Sequence, residues 1–249
     1  MRYLLETCVD SVESAQAAQA GGAHRLELCS NLIIGGTSPT PALIKEILQT
    51  VNIPINVLLR PRFGDFCCTA AEQRVLLREI EDCRTLGVNG VVIGALTPDG
   101  RLDIPFLTRC MQAAGPLEVT LHRAFDLTRD PFEALEDAIS LGMDTILTSG
   151  QQATALQGVQ LLGQLCERAK GRISILAGSG VGPDNLALLA QKGICHFHSS
   201  GKRTQDSPMQ YRREGVPMGL PIASEYQRSY TDMAIIRQMR DCLDQLSQG

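Results

Sequence analysis

The chain alternates between two hydrophobic rhythms. Short runs rich in aliphatic and β-branched residues, LLETCV, RLELCS, INVLLRPR and GVVIGA, are each followed by turn residues and then by a stretch with helical spacing. The later short runs are EVTLHRAFD, TILTSG, ISILAGSGV and CHFHSSG. Their helical partners begin with SVESAQAAQAGG and end with TDMAIIRQMRDCLDQL. Eight such strand–helix pairs in 249 residues predict a parallel sheet closed into a (β/α)8 TIM barrel of class α/β. The prediction is one domain over residues 1–249. A doubly wound open sheet is the runner-up, but such sheets seldom carry eight units this regular.

The helix ends carry their own signals. Asp130-Pro131 places a cap and a proline at a helix start, and Gly182-Pro183 does so less ideally. Gly22, Gly87, Gly142 and Gly193 stand where a helix needs a left-handed residue to stop. One segment breaks the rhythm. Residues 201–231, between the eighth strand and the last helix, hold proline, glycine and paired arginines with no clear helix. A long loop of this kind is read as a lid over the barrel mouth, an arm clasping a second subunit, or a loose insertion.

Residues two apart on a strand share a face. Glu6 and Cys8 therefore share one face of the first strand, and Arg25, Glu27 and Cys29 one face of the second. Arg60 and Arg62 in the third strand, His122 in the fifth, and His196 with His198 in the eighth complete the polar set. The apolar sets should face the helices, so the polar sets point into the barrel. Buried charges there need partners. Arg60 and His122 are the neighbours expected for Glu6 and Glu27. Barrel active sites lie at the strand C-termini, and Glu27, Arg60, Arg62, His122, Arg123 and Asp126 fall there. His24, at a helix-to-strand turn at the other end, reads as structural.

AGSGV ends the seventh strand and HSSGK the eighth. Loops after these strands form phosphate sites in many barrels, because small residues let backbone N–H groups approach an anion. Gly178, Ser179, Gly180, Ser199, Ser200 and Gly201 suit that task, with Lys202 or Arg203 adding charge. Glycine also simply makes tight turns.

Composition narrows the partners. A net charge of −4, scattered cations and the absence of tryptophan argue against a nucleic-acid or anionic-membrane partner. MRYLLETCVDSVES turns polar too early for a signal peptide, and no apolar run reaches the ~20 residues of a membrane span. The expected location is the cytoplasm. Nine cysteines, an odd number with no CxxC pair, then read as reduced thiols and exclude a zinc finger or a thioredoxin-like pair.

ETCVDS, RLELCSNLIIGGTSPT, INVLLRPRFGDF, LHRAFD and ILAGSGV together resemble the CutC copper-homeostasis family, in the same order, over residues 1–201. The resemblance implies a cytosolic TIM barrel, usually oligomeric and here expected to be a dimer, associated with copper tolerance and proposed to bind Cu(I). Its proposed ligands match Cys8 and Cys29. Thiolates select Cu(I), and neighbouring strands about 4.8 Å apart would let a two-coordinate ion bridge two sulfurs. The nearby glutamates oppose thiolate formation. Two further functions stay open. One is an enzyme on a small phosphorylated or carboxylated ligand, with Glu6 or Glu27 as base, His122 as acid and Arg60 and Arg62 as clamps. The other is an oligomeric scaffold whose polar interior is only a salt-bridge network.

Overall fold

A computed structural model of the chain describes residues 3–216, 218–220 and 223–248. Eight parallel strands close into a barrel in sequence order. They are β1 (Leu4–Val9), β2 (Arg25–Leu28), β3 (Ile55–Leu58), β4 (Gly90–Ile93), β5 (Glu118–Leu121), β6 (Thr145–Thr148), β7 (Ser174–Ala177) and β8 (His196–Ser199). The α-helices between them are α1 (Val12–Gly21), α2 (Pro41–Thr50), α3 (Ala70–Leu86), α4 (Ile104–Ala114), α5 (Pro131–Leu141), α6 (Val159–Ala169) and α7 (Leu186–Ala190), with α8 (Met233–Gln248) last.

Local chemistry fixes the helix ends. Asp130 caps α5 by accepting from the backbone N–H groups of Phe132 and Glu133, with Pro131 in the first turn. Thr69 and Glu72 form a reciprocal capping box at the start of α3. The Gly182-Pro183 signal misplaces its helix: α7 starts only at Leu186. Asn185 delays it by accepting from Gly182 N–H and donating to the carbonyl of Gly180.

The outward strand faces, Leu5, Val9, Leu26, Leu28, Val57, Val91 and Val119 among them, are buried under the helices in one continuous core. α8 locks the first unit to the last. Gly21 lets Ile236 approach so closely that a β-carbon there would lie 2.7 Å from it. Arg237 and Arg240 of α8 donate to the carbonyls of Ala20 and Gly22.

The segment expected to be irregular is partly ordered. β9 (Lys202–Asp206) and β10 (Gln227–Thr231) pair antiparallel as a two-stranded ribbon on the barrel rim. Pro217, Pro221 and Ile222 of that segment lie outside the described residues.

Candidate functional site

Barrel closure decides which polar residues meet. Glu6 on β1 stands in register with Arg25 on β2 and with His198 on β8. One step further up, Cys8 stands opposite Glu27. Arg25 Nε donates to Glu6 Oε2 at 2.5 Å, and His198 Nδ1 lies 2.8 Å from Glu6 Oε1. His198 Nε2 is 3.7 Å from Glu27 Oε2, and the Cys29 thiol donates to that same oxygen at 3.3 Å. One imidazole thus bridges the two buried glutamates. Arg25 reaches down to Glu118 with its Nη1 at 3.3 Å.

These partners correct the sequence reading. Glu6 and Glu27 find Arg25 and His198, where Arg60 and His122 were expected. Both missing residues had been placed on inward faces. His198 comes within reach across the β8–β1 seam, which only a closed barrel defines, and Arg25 from the neighbouring β2.

The charges follow from the contacts. Burial would raise the Glu6 carboxyl, but Arg25 and His198 outweigh it and hold it below the usual carboxylate range. Glu27 has a weaker counter-charge: burial raises it, and His198 only partly opposes this. Burial would strip His198 of its proton. Cys8, Glu27 and Glu6 around it reverse that and hold it well above the ordinary histidine value. Burial, reinforced by Glu27, pushes the Cys29 thiol well above the normal cysteine range.

Among the described residues, the side chains whose ligand atoms all lie within 4.8 Å of one another are Cys8, Glu27 and His198. Cys29 is not in this group. It is fully buried and packs in one cluster with Cys8, Leu58 and Val92.

The group forms the floor of a cavity of about 360 Å³ at the strand C-termini. Arg60, Phe66 and His122 form the β3–β5 wall, while Ser179, Gly180, Ser199, Ser200 and Lys202 form the β7–β8 side. Other candidates lie elsewhere. Glu6 is sealed beneath the floor. Arg62 turns outward to Glu72 and Asp65, at 2.6 and 3.2 Å. Gly178 and Gly201 serve packing: a β-carbon at either would lie 2.5 Å from Leu147 or 2.6 Å from Ile236. The hydroxyls of Ser179 and Ser199 are spent on the carbonyls of Ala153 and Val181. Asp126 gathers Thr148, Ser149 and Arg123, fixing the β5 and β6 loops to each other. His24 accepts from Leu5 N–H at 2.9 Å, in keeping with a structural part.

The fold and floor define a class: a TIM barrel with a buried thiol, carboxylate and imidazole converging at the C-terminal ends of its strands. The CutC family model matches residues 3–203, and the chain belongs to the CutC family. It is 48% identical to a family protein CutC of Parabacteroides distasonis, over 93% of this chain and 97% of that protein. It is 43% identical to the human copper homeostasis protein cutC homolog, over 95% of this chain and 88% of the relative. A crystal structure of the putative copper homeostasis protein CutC from Streptococcus agalactiae superposes with a TM-score of 0.76 at 28% identity, covering 80% of this chain and 98% of that one. Thiamine phosphate pyrophosphorylase from Pyrococcus furiosus is similar in fold alone, at 14% identity, a TM-score of 0.61 and 98% and 96% coverage.

Proposed function

We propose that the chain serves in copper homeostasis by holding Cu(I) at the cavity floor, with Cys8 Sγ and His198 Nε2 as the ligands and Glu27 beside them. The observation that carries this reading is the convergence of one thiol, one imidazole and one carboxylate within 4.8 Å at a cavity floor. A thiolate and an imidazole are soft and borderline donors that suit Cu(I) better than hard cations. Glu6 bonds the other ring nitrogen of His198 and so orients the ligand, as outer-shell carboxylates do at metal-bound histidines. Both ligands give up a proton on binding.

This reading keeps Cys8 and replaces Cys29 by His198 as its partner. Cys29 has its thiol bonded to Glu27 and lies outside the group formed by Cys8, Glu27 and His198.

Competition titration with a chromophoric Cu(I) chelator tests the assignment. Cys8→Ser and His198→Ala should each weaken Cu(I) binding by about 100-fold or more, since loss of even an outer-shell partner of a ligand costs about 10–100-fold. Cys29→Ser should weaken it less than the roughly tenfold that marks loss of an outer-shell partner. Equal losses at Cys8 and Cys29 would restore the two-sulfur clamp. No loss at any of the three would end the copper reading.

A further inference from the structure

We propose that the β3–β5 wall of the cavity is a receptor for the carboxylate of a small organic acid, held by Arg60 and His122. This goes beyond the copper reading and uses different residues.

Arg60 has five N–H donors. Nη1 donates to the carbonyls of Ile34 and Gly36, and Nη2 to that of Gly64. Two donors remain: Nε–H, buried and without a partner, and one Nη2–H. These two form the side-on fork of a guanidinium, which a carboxylate accepts with both oxygens. Among the described residues, no acidic group offsets the charge of Arg60; burial and Arg62 both act to weaken its hold on the proton. A half-buried cation with a buried, unpaired Nε–H and no counter-ion is an incomplete arrangement.

His122 adds a third donor. Its Nδ1 accepts the N–H of Ala124 at 3.1 Å, so the ring proton sits on Nε2. Nε2 is buried and has no acceptor. The ring is held by its Nδ1 to the backbone, and Nε2–H is the donor left unspent in a residue of the cavity lining. Phe66 holds the two residues in one wall, its ring 4.8 Å from the His122 ring and 5.0 Å from the Arg60 guanidinium carbon. All three line the same cavity.

Charge selects the class of anion. Arg123, the other arginine of the lining, is already paired with Asp126 at 2.7 Å. The wall therefore offers one uncompensated positive charge beside a neutral donor. That matches a carboxylate better than a phosphate monoester, which carries about −1.5 to −2 at neutral pH. Lys202 stands apart, at the β8 rim. The cavity leaves room for a small organic body reaching toward Cys8 and His198.

Ligand-observed NMR and thermal-shift assays on the full chain test this, with acetate, pyruvate and benzoate as probes and inorganic phosphate as comparator. At least one carboxylate should bind the wild type. Arg60→Lys, which keeps the charge and loses the fork, should weaken it about tenfold. His122→Asn, whose side-chain oxygen can still accept from Ala124 N–H, should weaken it about fivefold. Cu(I) affinity should be unchanged in both, which separates this proposal from the copper reading. If Arg60→Lys does not fold, His122→Asn decides alone. The proposal is overturned if no probe binds, if binding survives both substitutions, or if phosphate binds more tightly and is lost in Lys202→Gln instead of Arg60→Lys.

Discussion

Glu6 and His198 face each other across the seam that closes the barrel, with Oε1 and Nδ1 2.8 Å apart. Glu6 also takes the guanidinium of Arg25, so one carboxylate compensates two buried cations. Removing it leaves Arg25 with only the half-exposed Glu118 at 3.3 Å and His198 with only Glu27 at 3.7 Å. Glu6→Gln should lower unfolding free energy by about 3–5 kcal/mol, the usual loss when one member of a buried charge network is removed. Urea denaturation measures it. A loss below about 1 kcal/mol would mean that water already reaches Arg25 and His198.

Stability should peak near neutral pH, for reasons with opposite signs. His122 is held neutral by burial and by the charge of Arg60, with its pKa pushed down to about 3. The unfolded chain takes up that proton near pH 6.5 and the folded chain does not. Stability is therefore lost as pH falls below 6.5, by about 1.4 kcal/mol per unit, until about pH 3. Glu6, lowered in the fold, adds stability that is complete above its unfolded value and fades as pH falls through its folded one. His198 runs the other way: raised in the fold, its contribution is complete below pH 6.5 and fades as pH climbs through its folded value. Urea midpoints between pH 4 and 7 should fall less steeply in His122→Asn than in the wild type. Parallel slopes would show that His122 is not what limits acid stability.

The barrel was legible because period-2 and period-3.6 patterns alternate eight times in short, capped segments. The same patterns put Glu6, Cys8, Glu27, Arg60 and His122 inside. The partners were less legible. His198 meets Glu6 only because β8 pairs with β1 in one particular register, a contact between residues 192 positions apart, while Arg25 meets it through the β1–β2 register. Arg60 and Arg62 look equivalent in the sequence, yet Glu72 and Asp65 draw Arg62 outward while backbone carbonyls keep Arg60 at the cavity. The β9–β10 ribbon carries no apolar alternation to read, because KRTQD is exposed throughout and QRSYT over its first three residues.

The thiols should sort by burial. Cys29, Cys83 and Cys110 are at most 1% exposed, and burial pushes Cys83 and Cys110 up to about 12. They should resist iodoacetamide at pH 8 until the chain unfolds. Cys67, half-buried on the loop after β3, should label first. Mass spectrometry of tryptic peptides gives the order, and early labelling of Cys29 would contradict its sealed position under Glu27.

Gly94, just past β4, controls the cavity wall through contact alone. A β-carbon there would lie 2.5 Å from His122 Cε1 and 2.6 Å from Nδ1. The ring has little room to yield, because Phe66 stands beside it and its Nδ1 holds Ala124 N–H. Gly94→Ala should therefore cost about 1–3 kcal/mol, the range for overpacking a filled core. It should also shift the His122 ring resonances and weaken carboxylate binding at Arg60. Gly182→Ala provides the control: nothing lies within 4 Å of its added carbon, and its effect should stay within about 0.5 kcal/mol. Equal stability of the two variants would show that His122 can leave its place freely, and the wall would then lack the fixed donor that the carboxylate receptor requires.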